Sequence, residues 1–311
     1  MSKNNKRTYL LYLLAAPIVA AVAIVLRSVA RLSDYDAALG YFDGRALPIA
    51  MAALLVTVIA VLAVLTHELR GFFVATTDYR DLPTLFSGIY LGIALVFFGV
   101  TLAVSAIGSF SAPLFSPVAS VAALLAALSL LCGAGLFAVR AFDGRAVGPA
   151  RAMLTLAPAV GAVLYTLYLH LDPAVRINEP NKMLAAVAWI AVAFFFLGEA
   201  RIALLRAKWA LHTYVTAVTV MLSATLCLPN LLYEAVHGTS LLGSTAADFA
   251  MLGVFLYATA RLVAAYLAAI RAETAEGQYI TDFTVTREPL PTEEDAPTDS
   301  EEDSDEEALD R

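Results

Sequence analysis

The sequence predicts an all-α, polytopic integral membrane bundle of about eight transmembrane helices with both termini cytoplasmic. Three observations carry that expectation. Of 311 residues, 60% are hydrophobic and 15% charged, with mean hydropathy +0.76, whereas a water-soluble domain carries about 25% charged residues. Eight apolar runs are long enough, at about 1.5 Å rise per residue, to cross a hydrocarbon core roughly 30 Å thick. The charge is also segregated: residues 273–311 hold 15 Asp and Glu against 2 Lys and Arg, while residues 1–272 hold 12 against 18. The net −7 is therefore a body at +6 joined to a tail at −13, and the low charged fraction with the high hydropathy excludes a soluble globular enzyme.

The runs cover residues 8–27, 47–67, 84–106, 114–139, 150–170, 183–205, 209–232 and 246–270. Lys3, Lys6 and Arg7 precede the first, and Ser28-Val29-Ala30 mimics a signal cleavage site, but the run from Thr8 to Leu26 is too long for a signal core and reads as a span. Pro113 and Pro117 leave the start of the fourth run ambiguous. With the N-terminus inside, the inner segments hold 14 Lys and Arg and the outer ones 5, counting Arg27 and Arg31 as outer and leaving Arg261 as the one cation well inside a span. That asymmetry puts both ends in the cytoplasm.

Span 2 follows Phe-Asp-Gly-Arg-Ala at 42–46 and Pro48, and the same pentapeptide recurs at 142–146 before Pro149. Asp-Gly suits a tight turn and Pro a first helical turn. The copies are either two uses of good turn chemistry or the trace of an inverted duplication of spans 1–3 into 4–6. In span 3, Gly88, Gly92 and Gly99 continue through Ala103 along one face, so it should pack closely on a neighbour such as span 4, with its Ala119, Ala122, Ala123, Ala126 and Ala127. Pro158 in span 5 and Pro229 in span 7 each remove a helical hydrogen bond and are candidates for static kinks or hinges.

Charges at membrane depth are costly and need partners. Glu199 comes 16 residues after Met183 in span 6, and Arg261 comes 15 after Ala246 in span 8. Both spans run inward, so the two lie at one depth and should form an ion pair. That pair is either glue between spans or a substrate or proton site; Tyr257, one turn before Arg261, is placed to join it. Arg201, Arg206, His212 and Thr216 with Glu199 and Arg261 form either a cationic vestibule suited to anions or ordinary interfacial anchoring beside Trp209 and Lys208.

On the outer side, Asp172, Glu179, Glu234, His237 and Asp248 border the last four spans, together with His170. No metal-binding spacing links them. His67-Glu68 opens like a zinc-protease motif, but Gly71 stands where the second His is required. Cys132 and Cys227 both fall in spans and make neither a disulfide nor a metal site. No metal, cofactor or nucleic-acid partner is expected.

After Arg271 the pattern turns polar, and the stretch from Glu293 onward has no apolar face to offset ordering entropy. Residues 273–311 therefore read as a largely disordered acidic tail, either solvating or docking a cytoplasmic protein.

Arg27-x-x-x-Arg31, Asp34, Asp36 and Gly40-Tyr-Phe-Asp-Gly-Arg-Ala-Leu-Pro48 resemble a pattern in uncharacterised multi-span membrane proteins of clostridial Firmicutes. The resemblance covers roughly the first sixth of the chain and implies a bacterial plasma membrane. It carries over no catalytic residue. Three functions follow from the residues: a permease-like transporter of a small solute using Glu199 and Arg261; a non-catalytic scaffold or sensor acting through the tail; and, last, a lipid or cell-wall enzyme, which would need Glu234, His237, Asp248 and His170 to converge on one groove.

Overall fold

The computed structural model describes residues 3–36, 41–68, 81–110, 116–143, 148–172, 179–204, 206, 208–238 and 244–274. The acidic tail from residue 275 lies outside these, as does most of the second Phe-Asp-Gly-Arg-Ala copy. The elements are α1 (Lys3–Ser33), β1 (Tyr35–Asp36), β2 (Tyr41–Phe42), α2 (Ala46–Glu68), α3 (Leu82–Ser109), α4 (Pro117–Asp143), α5 (Pro149–Leu171), α6 (Pro180–Ala203), α7 (Trp209–His237) and α8 (Ser244–Thr274). All eight helices are long and apolar enough to cross a membrane, so the chain is an all-α multi-pass bundle. β1 and β2 add one antiparallel pairing of two residues each, Tyr35 opposite Phe42.

Helix starts follow local chemistry. Proline opens α4, α5 and α6 and sits in the first turn of α3, where its missing N–H leaves no bond unmade. Asp81 caps α3, accepting from the Thr84 amide at 3.2 Å and its hydroxyl at 2.7 Å. Gly238 ends α7 at φ 60°, the left-handed position that favours glycine.

The first helix runs on to Ser33, past the expected end at residue 27. Arg27 and Arg31 are part of it, and both are buried because they find partners on other helices. Arg261 is not the one buried cation: Arg27, Arg31, Arg140 and Lys182 are also buried, toward the ends of their helices, as are the carboxylates Glu234 and Asp248.

From α3 to α8 each helix packs on the next, and α8 returns to α3, so six helices close a ring; α1 lies outside it against α7, and α2 packs on α1 and α7. Aromatic side chains fill the ring. Phe98 stacks on Trp189 and meets Tyr165 edge-on at 4.9 Å, and Phe137 and Phe195 meet Tyr257 at 5.3 and 6.0 Å. Such aromatic contacts contribute about 0.5–1.5 kcal/mol each beyond their area.

The glycine stripe of α3 faces α4. A Cβ on Gly92 would come 3.1 Å from Phe137, one on Gly99 would come 2.9 Å from Leu131, and Gly88 faces Phe137 and Tyr257. Small residues thus let two backbones approach. Pro158 sits in a comparable notch, since a Cβ on Gly133 of α4 would lie 2.8 Å from its Cδ. Pro229 is also buried, and Pro17 adds a third intrahelical proline, in α1.

Helix α7 is the most enclosed of the eight although it is rich in hydroxyls. Thr216, Thr219, Ser223 and Thr225 donate to the carbonyls of His212, Val215, Thr219 and Met221 one turn back, at 2.5–2.8 Å, and the Thr219 hydroxyl also lies 3.2 Å from Ala191 O of α6.

The two Phe-Asp-Gly-Arg-Ala copies begin in different structures. Phe42 ends β2 and Asp43 N–H donates to Asp34 O at 2.7 Å, whereas Phe142 and Asp143 are the last residues of α4.

Candidate functional site

Two polar clusters occupy opposite ends of α6, α7 and α8. Asn181 and Glu199 on α6 are 18 residues apart, as are His212 and Asn230 on α7, which is about 27 Å along a helix and close to the thickness of the hydrocarbon core.

The first cluster centres on Glu199, fully buried in the last turn but one of α6. Its Oε1 lies 3.1 Å from Arg261 Nε of α8 and 3.1 Å from His212 Nε2 of α7, and its Oε2 lies 3.6 Å from Arg140 Nη1 of α4. Tyr257 meets the cluster through Arg140, whose Nη1 donates to its hydroxyl at 2.5 Å. Four helices are thus tied at one point by two guanidiniums and an imidazole around one carboxylate. His212 is held flat against Phe195 and against Gly198, where a Cβ would collide with its Nδ1. Arg201 does not join the cluster; it is exposed, with Lys208, on a groove that His212 closes from the inside.

The second cluster belongs to α1, α6, α7 and α8 at the other end. Arg27 Nη2 donates to the side-chain oxygens of Asn181 and, at 3.2 Å, of Asn230; Arg31 Nη1 donates to the same Asn181 oxygen at 2.8 Å. Asn230 Nδ2 in turn donates to both carboxylate oxygens of Asp248, at 3.0 and 3.2 Å, and Thr245 donates to Glu234 at 3.0 Å. The Arg31 guanidinium lies over both the Tyr35 and Tyr233 rings, 4.6 and 4.9 Å from their centroids, a cation–π arrangement on two rings that themselves meet edge-on. Burial pushes the Tyr35 phenol above its usual range, so it stays protonated and donates to Glu179 at 3.4 Å.

Of these side chains, Arg31, Tyr35, Asn181, Asn230, Glu234 and Asp248 border a cavity of about 320 Å³. Arg31 and Lys182 line it with Glu179, Glu234 and Asp248, and Tyr165 and Trp189 form its apolar floor. The size falls within the range of small-molecule pockets. Cations and carboxylates facing one open cavity suit a small solute that carries both charges.

The structure brings Glu199, Arg261, Tyr257 and His212 together and leaves Arg201 outside. The cavity, however, borders the other cluster. Arg27, Arg31, Asn181 and Asn230 were not singled out as site residues. Two signals in the chain mark all of these but Asn181: Arg27-x-x-x-Arg31 and Asn230-x-x-x-Glu234, each a polar pair one turn apart on one helical face. His170 and His237 are exposed, their Nδ1–H groups donate to Thr166 O and Tyr233 O one turn back, and neither borders the cavity. Glu234 and Asp248 thus share the cavity without His170 or His237, so these four do not converge on one groove. No group of three His, Cys, Asp or Glu suited to a metal occurs among the described residues either.

Comparison with protein-family models, curated proteins and solved structures finds no match.

Proposed function

We propose that this multi-pass membrane protein is a permease-like carrier of a small zwitterionic solute, seen with one face open and the other locked. The observation that carries the reading is the pairing of two features on the same helices. A mixed-charge cavity sits at one end of α6, α7 and α8, and a buried ion cluster ties their other end. Between them the aromatic fill of Phe98, Tyr165, Trp189, Phe195 and Tyr257 blocks the ring. In alternating access a solute held near the cavity floor passes only when the far contacts part. In this mechanism Arg31 and Lys182 attract the anionic end of the solute and Glu234 and Asp248 its cationic end. Glu199, Arg261, Arg140 and His212 act as the gate.

The Lys and Arg asymmetry supports both termini inside, which turns the cavity outward and the gate toward the cytoplasm. A bacterial plasma membrane is the setting this reading uses.

The test is a panel of zwitterionic solutes against the purified full-length protein. At least one should raise the thermal midpoint saturably, as a ligand that binds only the folded state must, and should accumulate in proteoliposomes. Asp248→Asn should remove most of both responses. If folded protein responds to no zwitterion, or if Asp248→Asn responds as the wild type does, the reading fails.

A further inference from the structure

We infer that the groove between the end of α6 and the start of α7 binds the phosphate of an anionic phospholipid from the adjacent leaflet. The groove encloses about 220 Å³ at the Glu199 end of the bundle. Arg201 and Lys208 stand exposed at its polar end, while Phe194, Leu197 and Leu211 form an exposed apolar wall. Phe194 and Leu197 precede Arg201 by seven and four residues, which is roughly 6–10 Å deeper along α6. The construction therefore follows a lipid: two cations at headgroup level and apolar surface where an acyl chain begins. Basic pockets between membrane helices recognise anionic headgroups in this way.

A third side chain makes the groove more than interfacial anchoring. His212 lines it and is buried, and its two ring nitrogens have different surroundings: Nε2 lies 3.1 Å from Glu199 Oε1, while Nδ1 has no hydrogen-bond partner among the described residues and lies against Gly198. A phosphate drawn to Arg201 and Lys208 is then separated from the Glu199 cluster only by this ring. An occupant of the groove packs against the side of the ring away from Glu199 and so holds Nε2 in place at 3.1 Å from the carboxylate. Lipid in the groove thus tightens the cluster behind it. Binding stands apart from the carrier reading, and only its effect on flux rests on that reading.

The experiment titrates phosphatidylglycerol, against equal phosphatidylcholine, into purified full-length protein in neutral detergent and follows the thermal midpoint. Phosphatidylglycerol should raise the midpoint saturably. Each cation brought to an anionic lipid surface changes affinity about fivefold, so the R201Q/K208Q variant should need roughly thirtyfold more lipid for half the shift. Arg45→Gln, at the opposite end, should respond as the wild type does. If the double variant does not fold, R201Q alone should show the fivefold change. The proposal is overturned if the lowered-charge variants respond like the wild type, which indicates a general effect of the amphiphile, or if inorganic phosphate alone reproduces the shift. In proteoliposomes the same lipid should slow flux; unchanged flux with an intact midpoint shift would count against the carrier reading and leave lipid binding in place.

Discussion

Glu199→Gln removes one charge and almost no volume, so it isolates the electrostatic part of the buried cluster. In the wild type one carboxylate faces Arg261 at 3.1 Å and Arg140 at 3.6 Å, with His212 at 3.1 Å and no solvent access. The neutral amide cannot balance either guanidinium and presents an NH₂ where an acceptor is needed. Removing one member of a buried ion pair costs about 3–5 kcal/mol. Since the same carboxylate serves two arginines, the upper half of that range is expected. For larger chains each kcal/mol moves the midpoint by about 2–4 °C, which gives a fall on the order of 10 °C or more. The assay is thermal unfolding of the purified protein by intrinsic fluorescence, with Glu199→Gln/Arg261→Gln as the companion. Removing both partners should restore part of the loss, with a coupling of about 1–3 kcal/mol. A single variant within 2 °C of wild type, taken as roughly the smallest shift that resolves a kcal/mol, or strict additivity in the double variant, would refute the claim that the carboxylate organises the four helices.

Two further outcomes follow from packing. Gly133→Ala should destabilise by about 1–3 kcal/mol, because its Cβ would meet Pro158 Cδ at 2.8 Å. Gly135→Ala, two residues along the same helix with nothing within 4 Å, should be neutral or stabilising by up to about 1 kcal/mol; the two midpoints measured side by side decide the matter. Tyr257→Phe should cost about 1.5–3 kcal/mol, since Arg140 loses a buried charge-assisted hydrogen bond, and it should leave the response to a cavity solute unchanged.

The number of helices was legible because hydropathy needs only run length, and depth matching was enough to pair Glu199 with Arg261. Neither argument reaches residues that read as helix ends. Arg27 and Arg31 look like the close of a span when counted along the chain, because what keeps them in the helix is Asn181 and Asn230, 150 or more residues away. Arg140 was hidden in the same way, as a positive charge at an inner boundary that turns out to reach back to Glu199 and Tyr257. The glycine stripe was legible because close approach requires small residues at regular spacing. The ring closure by α8 on α3 was not, since no pattern within either helix names its distant neighbour.

The hydroxyls of α7 have a consequence for how water is handled in the bundle. A chain of Thr and Ser through the middle of a membrane protein invites comparison with a proton wire, but each of these protons is already committed to a carbonyl of its own helix. Thr225→Val, which keeps the shape of the side chain, should therefore be accepted with little change, and these hydroxyls, unlike His212 and Asn230 of the same helix, spend their protons within α7 and form no relay.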